Sequence, residues 1–160
     1  MTELPYRRDR AVAYARRWAL KRNPAYYNFD ELGGDCTNFV SQCLYAGAAV
    51  MNETPVTGWF YFSASRRTAS WTGVEFLHQF LVWNRSVGPY ASETERAGLE
   101  PGDVVQLRDM SGPWSHSLLV TETKPEIRIA AHSSDARDRL LRSYDYAVAR
   151  YLHIEGVRDW

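Results

Sequence analysis

Gly33-Gly34-Asp35-Cys36-Thr37-Asn38-Phe39-Val40-Ser41-Gln42-Cys43-Leu44-Tyr45-Ala46-Gly47 reads as a turn feeding a buried helix. Two adjacent glycines permit backbone turns that side chains resist. Asp35 fits an N-cap, where its carboxylate would accept unpaired helix N–H groups. Phe39, Val40, Cys43 and Leu44 follow at i, i+1, i+4 and i+5, an apolar stripe of helical period, and Gly47 is the expected stop. Cys36 therefore falls at the first position of the helix.

Upstream, residues 6–21 place Val12, Ala15, Trp18 and Ala19 at helical spacing, with Arg7, Arg8, Arg10, Arg16 and Arg17 largely on the other side. This is an amphipathic surface helix ended by the turn at Asn23-Pro24, and its basic face reads as solvated surface. Downstream, residues 50–70 read as a covering loop that includes the aromatic run Trp59-Phe60-Tyr61-Phe62. A second amphipathic helix carries Val74, Leu77, Phe80 and Leu81 on one face. After the turn Leu99-Glu100-Pro101-Gly102-Asp103 the period changes to two, and 103–108, 116–122, 126–132 and 148–154 read as strands. Helices first and strands afterwards predict an α+β fold, with the N-terminal helices packed on an antiparallel sheet.

The chain has 160 residues, which suits one domain spanning 1–160, since a core serves about 100–200 residues. Nineteen Lys+Arg balance nineteen Asp+Glu, so the formal net charge is zero. That argues against a nucleic-acid or anionic-membrane partner held mainly by charge. No stretch approaches the roughly 18 apolar residues of a spanning helix. The first twenty residues hold no apolar run before a small-residue cleavage site, so the expectation is a cytoplasmic chain or a trimmed secreted domain. Six Trp, ten Tyr and six Phe are many for a core of this size and suggest aromatic loops or a cleft.

Cys36 and Cys43 lie seven residues apart on the expected helix, about 10 Å along its axis. A disulfide needs α-carbons under about 7 Å apart, so both are expected as free thiols. Zinc knuckles separate paired cysteines by about two to four residues; six intervene here, and neither a metal nor a cofactor is expected. A thiol attacks as thiolate, and a helix N-terminus favours negative charge while its free N–H groups can hold an oxyanion. Cys36 meets those conditions. Cys43, on the apolar stripe, reads as core filler.

A thiolate needs an imidazole partner. His78 in a helix and His153 in the last strand read as packing or surface. His116 opens one strand and His132 closes the next; as a hairpin, these ends would lie side by side.

The cysteine segment, followed by Pro101-Gly102-Asp103-Val104-Val105, by Trp114-Ser115-His116-Ser117 and by Ala131-His132-Ser133-Ser134-Asp135, resembles the putative amidase domain family. So does the N-terminal run Tyr6 to Ala15. That family is similar to the NlpC-like and CHAP amidases of the papain-like cysteine-hydrolase fold. The resemblance implies a papain-like fold, with Cys36 as nucleophile, His116 as general base and acid, and His132 as the polar third member. Asp135, three residues on, is the alternative orienter of His116. Tyr26 or Tyr27 would lie near the oxyanion, Asp35 would act mainly as a helix cap, and Trp114 would wall the cleft with Trp59–Phe62. The reaction would be amide hydrolysis through a thioester acyl-enzyme, on a small peptide or amide such as a peptidoglycan stem peptide. Two rivals share these residues: acyl transfer to an amine, and a non-catalytic peptide-binding domain.

Overall fold

In the computed structural model, which describes Met1 to Trp160, the alternation of β-strand side chains sets two cores on opposite faces of one antiparallel sheet. The strands are β1 (Thr2–Leu4), β4 (Gly88–Thr94), β5 (Val104–Arg108), β6 (His116–Glu122), β7 (Arg128–Ala131), β8 (Ala136–Leu140) and β9 (Val148–Asp159), in the order β1-β9-β5-β6-β7-β8 with β4 also on β9. A separate hairpin joins β2 (Tyr61–Ser63) to β3 (Arg66–Arg67). The helices are α1 (Arg8–Trp18), α2 (Cys36–Ala48), α3 (Ala69–Thr72) and α4 (Val74–Trp83). The architecture is α+β, as the order of periodicities predicts.

Val104, Leu119, Ala130, Leu152 and Ile154 point into the larger core, where they meet Ala15, Phe39, Val40, Cys43, Leu44, Leu77 and Leu81 from α1, α2 and α4. Val105, Leu107, Leu118, Val120, Ile129 and Ala131 point the other way, into a smaller core closed by Leu141 and flanked by Tyr144 and Tyr146. Adjacent strand residues face opposite sides. This parity decides on which side of the sheet each candidate site residue stands.

Several expectations change. The run Trp59–Phe62 is only partly loop, since Tyr61 and Phe62 open β2: Trp59 and Tyr61 are buried in the larger core, while Phe62 is exposed and, with Tyr61, lines a surface pocket. Such alternation is that of a strand, and Trp59 packs at a tilt against Trp71, with 4.7 Å between ring centroids. Gly47 does not stop α2. The helix runs on to Ala48 and ends at Ala49 in the left-handed region (φ 57°), whose N–H donates to the Tyr45 carbonyl. Gly47 serves close approach instead: Arg7 N–H donates to its carbonyl at 2.9 Å, and a Cβ there would stand 2.5 Å from Tyr6. Strands β1, β4 and β8 were not anticipated. β8 reads Ala-Arg-Asp-Arg-Leu, a charged sheet-edge sequence without apolar alternation.

Candidate active site

The turn before α2 holds Gly33 and Gly34 at φ 86° and 100°, a region that a side chain would strain. It delivers Asp35 to the N-cap position, but the carboxylate makes no cap bond to the helix. It turns inward and accepts hydrogen bonds from the Phe29 N–H (2.8 Å), Asn38 Nδ2 (2.9 Å) and His132 Nδ1 (2.5 Å), with Arg22 Nε at 3.4 Å. Burial pushes the Asp35 carboxyl up, but the hydrogen bonds from His132, Asn38 and Phe29 and the charge of His132 outweigh it and hold it below its ordinary value. The expected cap is thus an anchor between α2 and β7. The first-turn N–H groups of α2 are left without a side-chain acceptor.

Cys36 follows, 8% exposed, with its Sγ 3.7 Å from the Thr37 hydroxyl. Both Cys36 and Cys43 are free thiols. Burial pushes the Cys36 thiol up, and this outweighs the backbone N–H groups of Ser117 and Thr37 and the Thr37 hydroxyl, which pull it down. The expectation of a thiolate favoured by the helix N-terminus is therefore reversed, because desolvation of a charge exceeds the stabilisation by nearby dipoles.

His116 heads β6, next to Ser117. Its Cα partner in β5 is Leu107, a residue of the smaller core, and its ring packs on Tyr144 at 5.8 Å. Ser117 points the opposite way, its hydroxyl 2.9 Å from that of Thr37. The imidazole thus rests on the Tyr144 side of the sheet, in a pocket of about 280 Å³ lined also by Leu107, Ser115, Ser133 and Tyr146. Burial, with the Arg139 charge beside it, pulls the His116 pKa down to about 4.

His132 stands on the helix side, stacked on Phe39 at 4.0 Å. Its Nδ1 donates to Asp35 and its Nε2 donates to the Trp18 carbonyl at 2.8 Å. Both ring nitrogens face acceptors, so each must carry its proton for both bonds to form. The structure therefore joins His132 to Asp35, the residue before Cys36, and sets the rings of His116 and His132 against Tyr144 and Phe39 on opposite sides of the sheet. Asp135 is gripped by Arg22 through two bonds of 2.8 and 3.0 Å, not by His116.

The Tyr27 carbonyl accepts from Asn38 Nδ2, while its ring packs on Phe29. Tyr26 is packed against the larger core. Trp114 lies beneath the guanidinium of Arg150 at 4.0 Å. Sequence reasoning missed Thr37, Ser117 and Gln106, all fully buried. The available signal was a polar residue at an interior strand position, Gln106 between Val105 and Leu107. No group of three or more His, Cys, Asp or Glu side chains gathers as a metal site would.

Chemically, the arrangement offers a buried thiol, helix N–H groups without a side-chain cap, and a neutral imidazole one residue from Ser117. The chain is 34% identical over 145 residues to the "Uncharacterized protein YhbB" of Bacillus subtilis (strain 168), an alignment covering 88% of this chain and 45% of that relative. The chain thus spans less than half the length of the curated relative it matches. No solved structure matches it. The family described as "Putative amidase domain" matches residues 5–154, from the lead-in to α1 well into β9, and its description names amide hydrolysis as the class of chemistry. With all but the chain ends inside that match, this protein belongs to the putative amidase domain family.

Proposed function

We propose that the protein is a cysteine amidase of papain-like type, with Cys36 as nucleophile and His116 as general base and acid. The observation that carries the reading is the position of Cys36, at the head of a thirteen-residue helix with the Thr37 hydroxyl 3.7 Å from its sulfur. Asp35, by turning its carboxylate inward, leaves the neighbouring N–H groups to a developing oxyanion. Donors fixed at that place lower the barrier because they need no reorganisation as charge forms.

With the thiol pushed up and His116 neutral at neutral pH, the resting pair is thiol and imidazole rather than an ion pair. Attack and proton transfer are then coupled: His116 takes the proton of Cys36 as the sulfur bonds to the amide carbon. The tetrahedral oxyanion collapses, the C–N bond breaks, and His116 returns the proton to the leaving amine. Water, deprotonated by the same imidazole, releases the thioester. In this reading the His116 ring, which rests against Tyr144 with the ring centroids 5.8 Å apart, swings to the sulfur for the proton transfer. His132 acts through Asp35, holding the turn that aims Cys36. By the resemblance to NlpC-like and CHAP enzymes, the substrate class is a small peptide, with peptidoglycan stem peptides first among candidates.

The test is turnover of wall fragments, γ-glutamyl peptides and simple amides by the wild type, Cys36→Ala and His116→Ala. Both variants should keep wild-type folding and lose at least about a thousandfold in kcat/KM, the scale lost when a nucleophile–base unit is broken. A Cys36→Ala variant that still turned over substrate at the wild-type rate would reject the reading. Added amine acceptors separate hydrolysis from acyl transfer.

A further inference from the structure

A row of buried polar side chains runs from the surface to the sulfur. Arg150, held by Glu75 at 3.0 Å, donates from Nε to Gln106 Oε1 at 2.9 Å. Gln106 Nε2 donates to the Val74 carbonyl at 2.9 Å and to the Ser117 hydroxyl at 3.1 Å. Ser117 and Thr37 hydroxyls are 2.9 Å apart, and Thr37 Oγ1 is 3.7 Å from Cys36 Sγ.

The direction of the donors is fixed from Arg150 as far as Ser117. The Gln106 oxygen must face the guanidinium, which only donates, and its nitrogen must face a carbonyl, which only accepts. Ser117 Oγ therefore accepts from Gln106 and keeps its single proton to give. The Ser117–Thr37 and Thr37–Cys36 contacts can run either way beside a thiol, but a thiolate only accepts, so as it forms Thr37 donates to the sulfur and Ser117 donates to Thr37. We infer that Thr37, Ser117, Gln106 and Arg150 form a one-way hydrogen-bond chain whose function is to aim the Thr37 hydroxyl at Cys36 and stabilise the thiolate as it forms.

The burial pattern argues for this role. Thr37, Ser117 and Gln106 have no exposed surface, and dry hydroxyl and amide groups are costly except where every partner is in place. An apolar row would fill the same space more cheaply, so the feature specific to the polar row is the donor it presents to the sulfur. The titratable group beside Cys36 is Asp35 on its own turn, paired with His132 after β7 and Arg22 after α1, while His116 at the head of β6 has its ring against Tyr144. None of them belongs to the row. These are positioning residues, and their service to catalysis rests on Cys36 being the nucleophile; their effect on the sulfur does not.

The experiment reads the sulfur without any substrate. Iodoacetamide alkylation of Cys36 is followed by peptide mapping, from pH 7 to 10, in the wild type, Thr37→Val, Thr37→Ser and Ser117→Ala. Removing a hydrogen bond to a charged acceptor should slow alkylation of Thr37→Val about tenfold at fixed pH and move its profile about one pH unit upward. Ser117→Ala, one link further out, should move it the same way by about half as much, and carries the test if Thr37→Val does not fold. Thr37→Ser, which keeps the hydroxyl, should match the wild type. Profiles of Thr37→Val and Ser117→Ala within about 0.2 pH unit of the wild type would overturn the chain, as would a Thr37→Ser shift equal to that of Thr37→Val. Since the readout is alkylation, a wild type without amidase turnover would defeat the proposed function and leave this result standing.

Discussion

His132 Nδ1 and Asp35 Oδ2 share a 2.5 Å hydrogen bond in the interior, each side chain 1% exposed. The bond ties the end of β7 to the residue before Cys36, and the same imidazole reaches the Trp18 carbonyl at the end of α1. One ring thereby fixes three elements at the helix start.

Asp35→Asn should weaken the fold at pH 7 by about 3–5 kcal/mol, the scale for leaving a buried partner uncompensated. The Asp35 pKa is lowered in the folded protein. The stability it contributes is therefore fully present above the unfolded carboxyl value of about 3.9 and is lost as pH falls through the lower folded value. Urea titrations between pH 2.5 and 7 should show the wild type losing its advantage over Asp35→Asn in that acid window. A constant difference across the range would contradict the pairing.

His116 should titrate near pH 4 in a histidine NMR titration. Because its folded pKa lies below the unfolded value of about 6.5, the unfolded chain binds more protons between the two. Stability should then fall as pH drops from about 6.5 towards 4, and His116→Gln should flatten that slope. If amide turnover depends on a neutral His116, the acid limb of kcat/KM follows the same value. A midpoint near 6.5 would show that the ring is solvated and not held against Tyr144.

Cys36 should react with iodoacetamide at pH 7 more slowly than free cysteine, since its thiol is pushed up, with a rate that rises steeply above about pH 8.5. Cys43 is fully buried and its thiol is pushed up further by burial, so it should be labelled after unfolding. Mass spectrometry of the two peptides separates them. Equal labelling of both in the native protein would contradict the difference in their surroundings.

Gly47→Ala should destabilise the fold by about 1–3 kcal/mol, the usual cost of overpacking. The new Cβ would stand 2.5 Å from Tyr6 Cε1 and 2.9 Å from the Arg7 carbonyl. Tyr6 cannot move aside freely, because its hydroxyl donates to the Gly102 carbonyl at 2.8 Å. Thermal unfolding checks this, and an unchanged midpoint would mean that the contact relaxes without cost.

The reading of Cys36 at a helix start was available from sequence because each signal is local: two glycines, a polar cap type, and an apolar stripe of helical period within fifteen residues. The strand limits of β6 were legible for the same reason, from the short apolar run between His116 and Glu122, whose interior is buried on both faces. The roles of Gly47 and Asp35 were misread because their partners, Tyr6 and His132, are distant in sequence and reach them through tertiary packing alone.

By itself the sequence determined the α+β class, the buried helix headed by a cysteine, and the two strands that carry histidines at their ends, because periodicity and turn chemistry act between near neighbours. Only the tertiary structure decided which sheet face each histidine occupies, which acceptor each ring nitrogen meets, and how far burial offsets the helix N–H groups at the sulfur. These depend on strand register and on desolvation, both set by residues a hundred positions away, and a dipole of fixed local sign can be outweighed by either.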